Sequence, residues 1–137
     1  MSMKDTALAF FDACETGQGW QACQVYCHDD ASFSSQTDMF GETTQLSDYT
    51  DSMAHLKPTM PDMRYEMIAF GVDEEREAIC AAATFHGTHT GEGGPVEPTG
   101  KAVATEYCYV IRFDGDKVAH MTKIWNDTIA MRQAGWA

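Results

Sequence analysis

Gly87-Thr88-His89-Thr90-Gly91-Glu92, followed closely by Pro98-Thr99-Gly100-Lys101, separates two long runs of alternating side chains. Its reading as a break between strands organises the rest of the chain. Glycine supplies the backbone angles of tight turns, proline fixes φ and removes a donor, and threonine suits strand ends. On either side the apolar period is two. Met63 to Phe70 and Ala78 to about Thr90 precede the break, and Ala102 to Phe113 and Val118 to about Trp125 follow it. Asp114-Gly115 joins the last two as a hairpin turn.

Farther out the period becomes helical. Ala7, Phe10, Phe11 and Cys14 fall at i, i+3, i+4 and i+7, and Gly17-Gln18-Gly19 ends that helix. Trp20 to about Tyr26 forms a second short helix, and His28 to Phe33 reads as a turn leading into a short extended piece. Ser47 is the expected N-cap of a third helix carrying Tyr49, Met53 and Leu56, halted by Pro58. Asp127 to about Gln133 forms a closing helix before Gly135. Helices followed by four antiparallel strands predict a single α+β domain over residues 1–137, with helices packed on one face of a twisted sheet.

Composition excludes several partner classes. With 21 acidic residues against 9 Lys plus Arg, the formal net charge of -12 repels nucleic acid and anionic lipid. No apolar run approaches the roughly 18 residues of a membrane span, and the first residues lack a signal-peptide pattern, so a cytoplasmic location is expected. The five cysteines read as reduced thiols. Cys23 and Cys27 share a helix face but have no second ligand pair, and His86 and His89 point to opposite faces of a strand, so no metal site is expected.

The quoted stretch, with Arg112-Phe113-Asp114-Gly115-Asp116-Lys117-Val118, Trp125-Asn126-Asp127 and Met131-Arg132-Gln133-Ala134-Gly135, resembles the SnoaL-like polyketide cyclases of the NTF2-like, ketosteroid-isomerase-like group. The resemblance implies an NTF2-like cone: a curved antiparallel sheet wrapped around N-terminal helices, enclosing an apolar pocket. It also implies a homodimer formed through the outer sheet face. The implied activity is a cofactor-independent intramolecular aldol cyclisation or isomerisation of a small, apolar, carbonyl-containing molecule, in which a carboxylate removes a proton beside the carbonyl.

Relatives commonly carry a pattern like His-Trp-Asp in the last strand, and the corresponding positions here are Met121, Thr122 and Lys123. Lys123 thus stands where the acidic base is expected. A lysine there can be a structural or ion-paired residue, an anion-binding cation or a Schiff-base amine. Asp127 is the nearest carboxylate, either a second catalytic candidate or a helix N-cap. His86 and Glu106 lie mid-strand, as a dyad or an ordinary sheet pair. Tyr107, Tyr109, Met121, Trp125 and Asn126 complete the expected substrate-binding set. Loss of the acid leaves open a second reading, a non-catalytic binding module that retains the pocket.

Overall fold

A computed structural model describes all of residues 1–137. Helix α1 (Met3–Glu15) begins with a capping box, in which the Ser2 hydroxyl accepts from Asp5 N–H and the Asp5 carboxylate accepts from Ser2 N–H. Its expected stripe is buried, and Glu15 is buried with it at 1% exposure. The second helix is shorter than its apolar pattern suggests: α2 (Gly19–Cys23) tightens into a 3-10 turn over Gln24–Tyr26. Strand β1 (Cys27–Ser35) follows, then α3 (Leu46–Leu56), β2 (Arg64–Asp73), β3 (Ala78–Thr88), β4 (Ala102–Asp114), β5 (Lys117–Trp125) and α4 (Asp127–Ala134). Gly115 takes φ 69° in the expected hairpin, and Gly135 takes the left-handed C-cap conformation that ends α4.

The sheet order is β1-β5-β4-β3-β2. The four expected strands form its antiparallel part, and β1 adds a fifth, parallel to β5, with Ser32 opposite His120 and Ser35 opposite Lys123. The short extended piece read from the sequence is thus a full edge strand. Two corrections concern helix starts. Gln45, not Ser47, occupies the N-cap of α3, in extended conformation and without a side-chain cap. Asn126, not Asp127, caps α4, with its side-chain oxygen accepting from Ile129 N–H. No helix is long and apolar enough to cross a membrane.

One core of 26 residues joins α1, α3 and α4 to the inner face of the sheet. At 25 cal/mol per Å² of apolar surface, each large side chain enclosed there stabilises the fold by about 1.5–3 kcal/mol. The Gly87–Glu92 stretch fastens one end of this core. His89 is fully buried, and its Nδ1 accepts from Trp136 Nε1–H at 2.9 Å and Thr99 N–H at 3.3 Å, tying the C-terminal tail to the β3–β4 connection. Gly91 passes so close to α3's outlet that a Cβ would stand 1.8 Å from the Pro58 carbonyl oxygen.

Candidate functional site

Between the inner sheet face, α3, α4 and the tail lies a pocket with about 580 Å³ of empty space, its open mouth included. Met53, Leu56 and Met60 come from α3 and its outlet, Ala130, Met131 and Ala134 from α4, and Trp136 from the tail held by His89. Phe85, Val103, Tyr107, Lys123 and Trp125 come from the sheet, and Met39 and Phe40 from the β1–α3 connection. Thirteen of the fifteen lining residues are hydrophobic; the two that are not are Lys123 and Glu15.

Strand parity decides who enters. On β4, Tyr107 and Tyr109 point inward while Glu106 and Cys108 point out, and on β5 Met121 and Lys123 point inward while His120 and Thr122 point out. The outward His120 is bracketed by Ser32 at 2.7 Å, Ser34 at 3.0 Å and Thr122 at 3.1 Å.

Lys123 is only 6% exposed, and its Nζ donates to the Tyr49 hydroxyl at 2.8 Å. Five aromatic rings surround that nitrogen, with Trp125 nearest at 4.2 Å from the ring centroid and Phe40, Tyr49, Tyr107 and Tyr109 between 5.1 and 5.8 Å. Ring faces attract a cation. Burial acts the other way and lowers the lysine pKa to about 8, with the negative charge of Glu15 limiting the fall.

Glu15 is the site residue that the sequence reading missed. Its Oε2 accepts from Tyr109 Oη–H at 2.7 Å, and its Oε1 accepts from the Tyr107 hydroxyl. Burial raises its pKa, against the opposing pull of the Lys123 charge and the two tyrosine donors. The Tyr49 and Tyr109 hydroxyls are hydrogen bonded to each other, closing a continuous chain Lys123–Tyr49–Tyr109–Glu15–Tyr107. A signal for Glu15 existed: Ala7, Phe11 and Glu15 fall at i, i+4 and i+8, which places this carboxylate on the core stripe of α1.

The other expected residues divide. Tyr107 and Trp125 line the pocket with Lys123, while Tyr109 and Met121 are fully buried behind its wall. Asp127 is buried but turned aside, its carboxylate accepting from Met39 N–H at 2.9 Å, so it holds the β1–α3 connection. Asn126 is spent on the α4 cap. His86 and Glu106 stand on the outer side of the sheet, out of reach of the pocket, because their strand parity is opposite to that of Phe85 and Tyr107. His86 lies 3.7 Å from Glu66, and Glu106 is exposed opposite Thr84. No three His, Cys, Asp or Glu side chains converge as metal ligands.

This combination of a largely apolar pocket and a buried hydrogen-bonded chain of ionisable side chains sits on a fold shared with solved structures. AclR of Streptomyces galilaeus, provisionally described as a hydroxylase, superposes with a TM-score of 0.79 at 20% identity, covering 98% of this chain and 82% of that one. IdmH of Streptomyces antibioticus, provisionally described as a polyketide cyclase, gives 0.78 at 16% identity over 98% and 99% of the two chains. A protein of Jannaschia sp. CCS1, provisionally described as a SnoaL-like polyketide cyclase, gives 0.78 at 17% identity over 98% and 92%. At these identities the likeness is one of fold. No curated protein matches the chain in sequence. Residues 5–134 match the family described as SnoaL-like polyketide cyclase, nearly the full length, and the chain belongs to that family.

Proposed function

We propose that the protein is a cofactor-independent cyclase or isomerase that moves a proton at a carbon beside a carbonyl in a small polyketide-like molecule. The observation that carries this reading is that Lys123 and Glu15 are the only acidic or basic side chains lining an otherwise largely apolar pocket. Lys123 engages the carbonyl. Glu15, a carboxylate whose pKa burial raises, takes the adjacent proton. In this reading the base expected in the last strand is supplied instead from α1, and the aromatic and methionine side chains of the wall suit a flat substrate.

One observation favours a second reading, a binding module. Both Glu15 oxygens already accept tyrosine hydroxyls, which lowers their basicity toward a substrate. The two readings separate in one experiment. The protein is incubated in D2O with linear poly-β-ketone esters, and α-deuteration and ring closure are followed by NMR and mass spectrometry. The enzymatic reading expects both, with Glu15→Gln slower by about 10²-fold or more. Thermal stabilisation by the same esters, without deuteration or closure, would instead establish the binding module.

A further inference from the structure

Lys123 differs from an ordinary buried, ion-paired lysine. No carboxylate lies within 4.0 Å of its nitrogen; its hydrogen-bond partner is the neutral Tyr49 hydroxyl. The donors in the chain beyond Tyr49 are directed. Lys123 Nζ donates to Tyr49, and Tyr109 donates to Glu15, so the one remaining hydroxyl proton must run from Tyr49 to Tyr109. Every hydrogen therefore points from the ammonium toward the carboxylate. A proton leaving Lys123 can be replaced link by link along Tyr49 and Tyr109 until Glu15 is protonated. Both ends are then neutral, and the amine stands free at the pocket wall.

We infer that Lys123 is a nucleophilic amine that condenses with a ketone or aldehyde, above all a 1,3-dicarbonyl, with Tyr49 and Tyr109 as the relay that passes its proton to Glu15. The inference rests on the reading of the pocket as a carbonyl site and specifies how the carbonyl is engaged. In the first step the amine nitrogen bonds to the carbonyl carbon, the C=O π pair goes to oxygen, and the proton lost by the attacking nitrogen passes to that oxygen to give a neutral carbinolamine. In the second the C–O bond breaks, the hydroxyl leaves as water with a proton returned by Glu15, which itself lines the pocket, and the nitrogen lone pair forms C=N. Overall one ammonium and one carbonyl give one iminium and one water, with no change in charge. Glu15, again a carboxylate, then takes the α-proton and leaves an enamine, the carbon nucleophile of an aldol closure.

Two further features suit this chemistry. The aromatic cage that stabilises an ammonium also favours the iminium, whose positive charge stays close to the same nitrogen. The apolar walls leave few polar groups to hold the water that would hydrolyse it. The low lysine pKa accords with the geometry, because at neutral pH about one amine in ten is then already free. The ionisable groups facing this nitrogen are Glu15 and Cys14 of α1, Tyr49 of α3, Tyr107 and Tyr109 of β4, and Asp127 of α4.

Acetylacetone serves as the probe, because a lysine amine converts it to a stable enaminone that absorbs in the near ultraviolet. The full-length protein is incubated with it at pH 7, and the adduct, the diketone less one water, is mapped by peptide mass spectrometry. The expected result is rapid modification at Lys123 ahead of the exposed Lys4, Lys57, Lys101 and Lys117. Lys123→Met abolishes the fast phase. Tyr49→Phe, folded as judged by circular dichroism, slows it about tenfold at pH 7 and returns to the wild-type rate above pH 9, where solvent removes the ammonium proton without a relay. A merely structural role for Tyr49 would lower the rate at both pH values. Modification of Lys123 no faster than of the exposed lysines, or a Tyr49→Phe defect that alkali does not repair, overturns the inference. Ring closure of poly-β-ketone esters without an adduct would leave the cyclase reading standing and remove only the covalent step.

Discussion

Replacing Lys123 with methionine tests the electrostatics of the pocket through folding stability alone. Burial lowers the lysine pKa from its ordinary 10.5 to about 8. At about 1.4 kcal/mol per pH unit, that gap means the buried ammonium costs the folded state about 3 kcal/mol at pH 7 relative to a neutral amine. The sign follows from proton binding. Between pH 8 and 10.5 the unfolded chain holds this proton and the folded chain releases it, so stability rises with pH across the window. Below pH 8 both states are protonated and the whole cost is present. Methionine has nearly the same length and no proton, so the variant lacks this rise. Urea denaturation of both proteins under reducing conditions, from pH 7 to 10.5, gives the stability difference at each pH. Wild type minus Lys123→Met should climb by about 3 kcal/mol. Taking the difference removes the opposing slope from Cys27, Tyr49 and Tyr109, whose pKa values burial raises. Parallel curves between pH 8 and 10.5 would refute the reasoning and mean that the ammonium reaches water.

Two further outcomes follow from the packing. Gly91→Ala should cost more than about 3 kcal/mol, since its Cβ would collide with the Pro58 backbone, whereas Gly71→Ala, with nothing within 4 Å, should be within about 1 kcal/mol of wild type; equal denaturation midpoints would show that the Gly91–Pro58 contact is not tight. On the outer sheet face Ile68 and Ile124, about half exposed, line one shallow depression with Ala82 and Cys108. We propose that this face pairs two copies of the chain, so sedimentation should give about twice the 15.2 kDa chain mass and Ile124→Asp should give the monomer; a wild-type monomer at micromolar concentration would exclude it.

Much of the framework was legible locally. The α1 stripe, the four alternating strands and the Asp114-Gly115 hairpin are each determined by near neighbours along the chain, and each is found within a few residues of its expected bounds. Lys123 was legible as the departure from the resemblance's pattern. Glu15 was not, because an acid in the last turn of a helix reads as solvated unless its place on the apolar stripe is weighed above its charge. The β1–β5 pairing was hidden as well, since the partners Ser32 and His120 are 88 residues apart and a parallel pair leaves no turn motif. Asn126 took the cap expected of Asp127 because one step in register decides which side chain meets the helix N–H groups, and Asp127 instead holds Met39 N–H.

The opening stretch divides the two kinds of information most clearly. Sequence alone determined that Gly87 to Lys101 interrupts two strands, since glycine and proline restrict the backbone wherever they occur. It also determined the alternation of side chains along each strand. Only the tertiary structure decided that His89 within that stretch holds Trp136 over the pocket, that Lys123 and Glu15 share one buried network, and that His86 and Glu106 face away. Alternation is a property of one strand, but its inner face is set by the helices that cover it. The charge state of a lysine depends on every group that replaces its water.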